Sequence, residues 1–205
     1  MYSATKTSLL FIGALGLAGC DDTSDDNEFD TTFSSFAEIE AALEPDLSAI
    51  VQEDGTLIDN ASQISDSEDF ETITAGSVTY NGAVIAEESD DGGTLIGQIE
   101  IVANLSNSRV EGTAGNFFHS NDGEVSGTLE GNSEFTQDVG TDGDHFEMQL
   151  TGELEILDTD YDTTLDLQGN FLDVDESADQ VAGDADFDFG DDGPEYEQGA
   201  FQGSR

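Results

Sequence analysis

Basic side chains are almost missing from this chain: 205 residues hold 3 Lys+Arg against 48 Asp+Glu, a formal charge of −45. Recognition of nucleic acid through its phosphates is excluded on that count, because there is almost nothing to neutralise them. Cysteine occurs once, which excludes a disulfide framework and a multi-cysteine metal site. There is no tryptophan and there are only two prolines. A long apolar run is missing too. The longest stretch, Leu9–Leu17, falls well short of the roughly 20 residues that a helix needs to cross a bilayer. Acidity at this level is common in disordered tails, yet apolar residues make up 36% of the chain, enough to build a core. The length suits one domain.

The acids are unevenly placed. Residues 1–19 contain none, and Lys6 precedes the Leu9–Leu17 run. A basic start followed by a short apolar stretch has the form of a secretory signal. It closes on Leu17-Ala18-Gly19-Cys20, which resembles a bacterial lipobox. That resemblance implies cleavage between Gly19 and Cys20, acylation of the Cys20 thiol and anchoring to a membrane. Two or more acyl chains hold stably where one does not. The lipid anchor at Cys20 is the membrane partner that the sequence names, and the mature chain keeps every acid.

Residues 20–32 are polar and acidic and read as a tether. Residues 33–69 read as a short helical or irregular segment. Ser35 stands three before Glu38, the spacing of a capping box, and Phe36, Ile39 and Leu43 fall on one helical face. Pro45 is expected to end this helix and to open a second short one over 46–52, with Leu47, Ile50 and Val51 apolar. A helix here could dock on or plug the following domain; covering an exposed sheet end is the plainer expectation.

From Phe70 the period changes to two. Thr94–Leu105, residues 146–156 and residues 183–189 alternate apolar and small residues with acids, Thr and Gln, the pattern of strands with one buried face and one wet face. One glycine falls on the apolar side of each expected strand: Gly82, Gly97, Gly112, Gly127, Gly152, Gly169, Gly183 and Gly199. Turn chemistry lies between them, at 89–92, 106–108, 120–123, 140–143, 158–160, 175–177 and 191–193. The fold class is therefore all-β: an eight-stranded antiparallel up-and-down β-barrel over 70–205, preceded by a short helical segment. Glycines on the concave side permit tight coiling and close approach of backbone or large side chains. A membrane-spanning barrel carries its apolar band outward; here the acids face outward, so the apolar face belongs inside, and the inward residues are enough to fill a narrow barrel.

These strands carry a resemblance. Ser77-Val78-Thr79-Tyr80-Asn81-Gly82 is similar to the first barrel strand of transferrin-binding-protein-B-like lipoproteins. Arg109-Val110-Glu111-Gly112, Val125-Ser126-Gly127-Thr128-Leu129 and Leu150-Thr151-Gly152-Glu153-Leu154 resemble its middle strands. Gly169-Asn170-Phe171, Ala178-Asp179-Gln180-Val181-Ala182-Gly183 and Gly199-Ala200-Phe201 resemble its closing run. The resemblance implies a non-enzymatic lipoprotein of a Gram-negative bacterium, at the outer membrane on its surface or periplasmic face, that binds a protein or an iron- or haem-related ligand. The large members have two lobes, each with a handle domain; this chain has room for one barrel and no full handle, and transferrin binding does not carry over. The alternatives are an envelope lipoprotein without a small ligand and a lipocalin-like carrier.

Catalytic residues and a cofactor are not indicated. His119 and His145 are the only histidines and read as exposed polar residues without a catalytic partner. Asp158-Thr159-Asp160-Tyr161-Asp162 and Asp184, Asp186 and Asp188 resemble the start of an EF-hand loop, but the sixth positions are Thr163 and Phe189 where that loop needs Gly. Alternation accounts for Asp184, Asp186 and Asp188 as the wet face of a strand, and no metal ligands are assigned. The acidity fits either long-range attraction of a basic partner or solubility in saline water.

Overall fold

The computed structural model describes residues 33–50, 52, 63–65, 70, 76–89, 92–137, 144–173 and 178–205. The elements are α1 (Phe36–Ile50), β1 (Gln63–Ile64), β2 (Ser77–Glu87), β3 (Thr94–Asn104), β4 (Arg109–His119), β5 (Gly123–Glu134), β6 (Phe146–Ile156), β7 (Thr159–Asp173), β8 (Gln180–Asp188) and β9 (Gly199–Ser204). Each of β2 to β9 pairs antiparallel with its sequence neighbour, and β2 also pairs with β9. That last pairing closes an eight-stranded up-and-down barrel and leaves no open edge. The expected fold class is the observed one, with one glycine of the marking set on each strand.

The inward parity of every strand feeds one core, which includes Tyr80, Ile99, Ile101, Phe117, Leu129, Leu150, Leu154, Leu165, Phe171 and Phe201, all essentially sealed from solvent. Glycines make this narrow interior possible in two ways. At Gly82, Gly152, Gly183 and Gly199 an added Cβ would land on a carbonyl oxygen of the neighbouring strand, so the sheet coils there closer than any side chain allows. At Gly97, Gly112 and Gly169 the missing side chain seats a large one: the Phe117 ring, the Met148 tip, and the Phe146 and Phe201 rings respectively. Gly127 has φ +118 where β4 and β5 slip register around Asn116, a conformation that a side chain would strain.

The outward parity divides into two walls. On β6, β7 and β8 it is acidic. Glu153 stands opposite Asp162, Glu155 opposite Asp160 and Asp166 opposite Asp186, like charges that repel across the ladder. On β4, β3, β2 and β9 it carries a covered apolar stripe at Phe118, Ile96, Ile85, Ala83 and Ala200, continued by Leu172 and Ala182 on β7 and β8, beside exposed polar residues such as Thr79 and Glu111. Helix α1 lies over that wall, with Ile39 buried against Ile96 and Phe118, and with Phe33, Phe36, Leu43 and Ile85 around them. The Phe36, Ile39 and Leu43 face is thus the docking face, but it covers the barrel's side, neither an exposed sheet end nor a plug. The cause is on the strands: Ile85, Ile96 and Phe118 give the wall an apolar stripe that only a second layer removes from water.

Two details of the helix differ from the sequence reading. The helix continues through Pro45 to Ile50 as one element; a proline there forfeits one backbone hydrogen bond without ending it. The side chains at 45–47 and 50, and residue 51, lie outside the described residues. At the N-terminus the Glu38 carboxylate accepts from the backbone N–H and the hydroxyl of Ser34, at 3.1 and 2.7 Å, instead of from Ser35. Ser35 contributes its carbonyl, which accepts from the Glu38 and Ile39 N–H groups. Those two hydrogen bonds from Ser34 hold the exposed Glu38 carboxyl below its ordinary range.

Candidate functional site

The turns gather at two barrel ends, and both ends are closed by side chains. At one end the first barrel strand begins and the last one finishes. Here Phe70, from the segment ahead of β2, sits over the core. Its ring lies edge-on to Phe171 at 5.4 Å and tilted against Phe135 at 6.0 Å and His145 at 5.6 Å. Phe171 is the hub, with Tyr80, Phe135, His145 and Phe146 also within 5.3–5.6 Å of its ring centre. β1 extends the edge of β7 on the outside, pairing Ile64 with Leu172. Closure therefore comes from the segment between helix and barrel, not from the helix.

The Tyr80 hydroxyl and the His145 ring are buried in this end with partners, beside Asn170 and Ser65. The Tyr80 hydroxyl donates to the Ala178 carbonyl at 2.8 Å, and burial pushes its pKa up, with Arg205 opposing and Asp179 adding to the shift. His145 is 1% exposed. Its Nε2 lies 3.1 Å from the Ser65 carbonyl, and its Nδ1 accepts from the Phe171 N–H at 3.3 Å. The Nδ1 also lies 3.1 Å from the Asn170 Oδ1, so an acceptor oxygen stands by each ring nitrogen. The Asn170 side chain bridges the neighbourhood, accepting from the His145 N–H and donating to Asp144 at 2.8 Å. Burial lowers the His145 pKa; the hydrogen bonds to Asn170 and Ser65 and the charge of Asp144 oppose that shift.

The opposite end is closed by the β8–β9 connection. Tyr196 lies against Phe187 and Phe189 at 6.0 and 5.3 Å and edge-on to His119 at 6.4 Å. His119 is 2% exposed. Its Nδ1 is 3.0 Å from an Asp122 carboxylate oxygen and its Nε2 is 3.4 Å from a Glu88 carboxylate oxygen. Burial pushes the Tyr196 hydroxyl pKa up, and the nearby charges of Glu88 and Asp122 add to it.

Both histidines are therefore buried, against the expectation of exposed side chains. Alternation placed His119 on the inward parity only at the very end of β4, and His145 sits just before β6 begins, where periodicity no longer reports a side. Asp184, Asp186 and Asp188 do lie along the outward parity of β8. Asp158 forms the β6–β7 turn with Leu157, both at positive φ, and Asp160 and Asp162 continue on the outer side of β7. Among the described residues no three His, Cys, Asp or Glu side chains converge as a metal site. Cys20, Gly19 and the whole segment 1–32 lie outside the described residues, as do the turn expectations at 140–143 and 175–177.

The acidic wall carries a shallow groove of about 460 Å³ along β6, β7 and β8, lined by Glu147, Gln149, Asp166, Gln168, Asp184, Asp186 and Gln198. Gln149 donates to Asp166 at 3.0 Å and Gln198 to Asp184 at 2.7 Å, so amides are the neutral spacers between carboxylates. A second recess of about 190 Å³ lies between α1 and the strands, at Phe33, Leu43, Ala83 and Gln202. No protein-family model matches the chain, and no curated protein matches it.

Proposed function

We propose that this chain is a non-enzymatic, lipid-anchored envelope protein whose barrel is a rigid recognition module, held at the outer membrane by Cys20. The observation that carries the reading is the filled interior. Aromatic and branched side chains occupy the barrel from end to end, so recognition falls to the outer wall and the end loops. That argues against a lipocalin-like carrier, which needs an internal chamber. A protein partner suits a broad wall better than a small iron- or haem-related ligand does, and the carboxylate ladder on β6 to β8 suits a partner presenting basic side chains. The lipobox-like ending at Cys20 and the resemblance of strands 77–82 and 169–201 to transferrin-binding-protein-B-like lipoproteins support the same reading.

Two measurements test it. Cys20→Ser should abolish metabolic palmitate labelling and release the protein from membranes; a variant that stays labelled and anchored removes the lipoprotein reading. In cross-linking on intact cells, a discrete partner should be captured at low salt and lost at high salt. A barrel that captures nothing under either condition leaves an envelope protein with a mechanical role instead.

A further inference from the structure

At the His119 end of the barrel one buried imidazole ring stands between two carboxylates. The ring has two nitrogens, and a carboxylate oxygen stands by each: Asp122 at 3.0 Å from Nδ1 and Glu88 at 3.4 Å from Nε2. A neutral imidazole carries one proton. With the proton on Nδ1, the Nε2 lone pair faces the Glu88 carboxylate, and Nε2 has no hydrogen-bond partner. With the proton on Nε2, the Nδ1 lone pair faces Asp122; it then accepts the Asp122 N–H at 3.3 Å but still opposes the carboxylate. Either neutral form sets a lone pair of the buried ring against a negative oxygen, more sheltered at Glu88, whose side chain is 14% exposed, than at Asp122, at 33%, and the opposition costs more the less water reaches it. The doubly protonated ring opposes neither.

Among the described residues nothing else at this end supplies positive charge. Of the three Lys+Arg, Arg109 opens β4 and contacts Asn132, and Arg205 follows β9; both lie at the other end, and Lys6 is outside the described residues. Among the described residues the titratable groups in ion-pair or ring contact with His119 are Glu88 at the end of β2, Asp122 in the β4–β5 turn and Tyr196 in the β8–β9 connection. These are the three pieces that close the end. The connection is laid against β2 by the Ser89 N–H to the Glu195 carbonyl and the Glu197 N–H to the Glu87 carbonyl, each at 2.8 Å. Gly93 leaves the space that the ring edge occupies, since any side chain there would strike the His119 ring.

We infer that His119 is a proton-operated latch: its imidazolium ties the β2–β3 and β4–β5 turns together and seats the Tyr196 connection over the barrel, and loss of the proton sets Glu88 and Asp122 against the ring and loosens that connection. Release would uncover the aromatic surface of Phe187 and Phe189, which Tyr196 now covers. The inference does not depend on the recognition reading.

The full chain can be tested by hydrogen exchange and NMR across a pH series, with exchange rates corrected for intrinsic base catalysis. With two histidines in the chain, the His119 ring resonances are assigned by His145→Gln. Protection of the Ser89 and Glu197 amides should fall about tenfold or more over the interval in which the His119 ring titrates, wherever that lies. The Phe135 amide, bonded to the Ser108 carbonyl at the far end, should stay protected and report that the barrel is folded. His119→Gln should show the low protection at every pH with Phe135 unchanged. Glu88→Gln should weaken the pH response while keeping the fold. Protection at Ser89 and Glu197 that ignores the His119 titration overturns the latch, as does a ring that stays neutral throughout while the connection remains protected.

Discussion

The glycine positions yield the sharpest quantitative expectation, because one substitution should act with opposite sign at two sites. Gly183 lies in the middle of β8, paired with Gly169 on β7 and Phe201 on β9. An alanine Cβ there would fall onto the Gln168 carbonyl oxygen, with the Gly169 Cα 2.9 Å away. Both are backbone atoms of a strand fixed on its other edge by β6, so no side chain can rotate aside. Overpacking typically costs about 1–3 kcal/mol; with only backbone to move, Gly183→Ala should cost about 3 kcal/mol. Set against a total stability of about 5–15 kcal/mol, and at about 2–4 °C per kcal/mol, the melting temperature should fall by about 6–12 °C. Gly76, just before β2, has nothing within 4 Å of an added Cβ and no positive φ. There alanine should stabilise by about 0.4–1 kcal/mol, through the unfolded chain. Urea unfolding followed by far-ultraviolet circular dichroism would measure both, with an unchanged slope showing that only stability moved. A Gly183→Ala barrel within about 0.5 kcal/mol of the parent, the range of an ordinary surface change, would refute the claim that strand spacing at this position excludes a side chain.

Three further expectations follow from buried or opposed polar groups. Tyr80→Phe removes the only donor shown to the buried Ala178 carbonyl and should cost about 1–3 kcal/mol in chemical denaturation, the penalty of an orphaned acceptor. For His145, burial lowers the folded pKa below its ordinary value, so the unfolded chain binds the extra proton first. The histidine's stabilisation is therefore complete above about pH 6.5 and is lost as pH falls through the folded value. Urea midpoints measured between pH 5 and pH 8 (about the span in which an ordinary histidine titrates) should show an acid-side decline that His145→Gln reduces, in high salt that screens the carboxylates. Glu153→Lys, opposite Asp162 on β7, converts a repelling pair into an attracting one and should raise stability by about 0.5–1 kcal/mol at low salt, with the gain shrinking as salt is added.

The barrel was legible because alternation and glycine spacing report the same thing twice. The 146–156 alternation coincides with β6, and every glycine of the marking set lies on its own strand. The covered wall was harder to read, although a signal for it exists. Ala83-Val84-Ile85-Ala86, Leu95-Ile96, Phe117-Phe118, Phe171-Leu172, Val181-Ala182 and Ala200-Phe201 are places where apolar residues occupy both parities. A strand wet on one side has no use for the second member. In the structure the outward members cluster under α1 and β1, so the doublets mark where the barrel wall carries a second layer. Phe70 gave no such sign: a single aromatic in an irregular stretch has no period, and its role as a closure depends on a long-range meeting with Phe135 and Phe171. The histidines were obscured for the same reason, since burial at strand ends is decided by which loops fold over them.

The scarcity of positive charge also has a geometry that composition could not show. Arg109 and Arg205 both come to the end where β2 begins, beside Asn132 and the Asp179 backbone, while the acidic ladder runs along β6 to β8. The barrel's electrostatics are therefore lopsided in two directions, across the walls and between the ends. On the covered side, burial of an apolar stripe under α1 replaces charge as the means of finishing the surface. On the open side, like charges remain face to face across Glu153/Asp162, Glu155/Asp160 and Asp166/Asp186, where each opposed pair works against the ladder. Closure and pairing must hold those carboxylates together, and a closed barrel with glycine-tight spacing can do so because no edge strand is free to peel away. The fold's tight core and its repelling wall are thus parts of one balance: the same narrow coiling that fills the interior keeps a carboxylate-lined face presented on the outside.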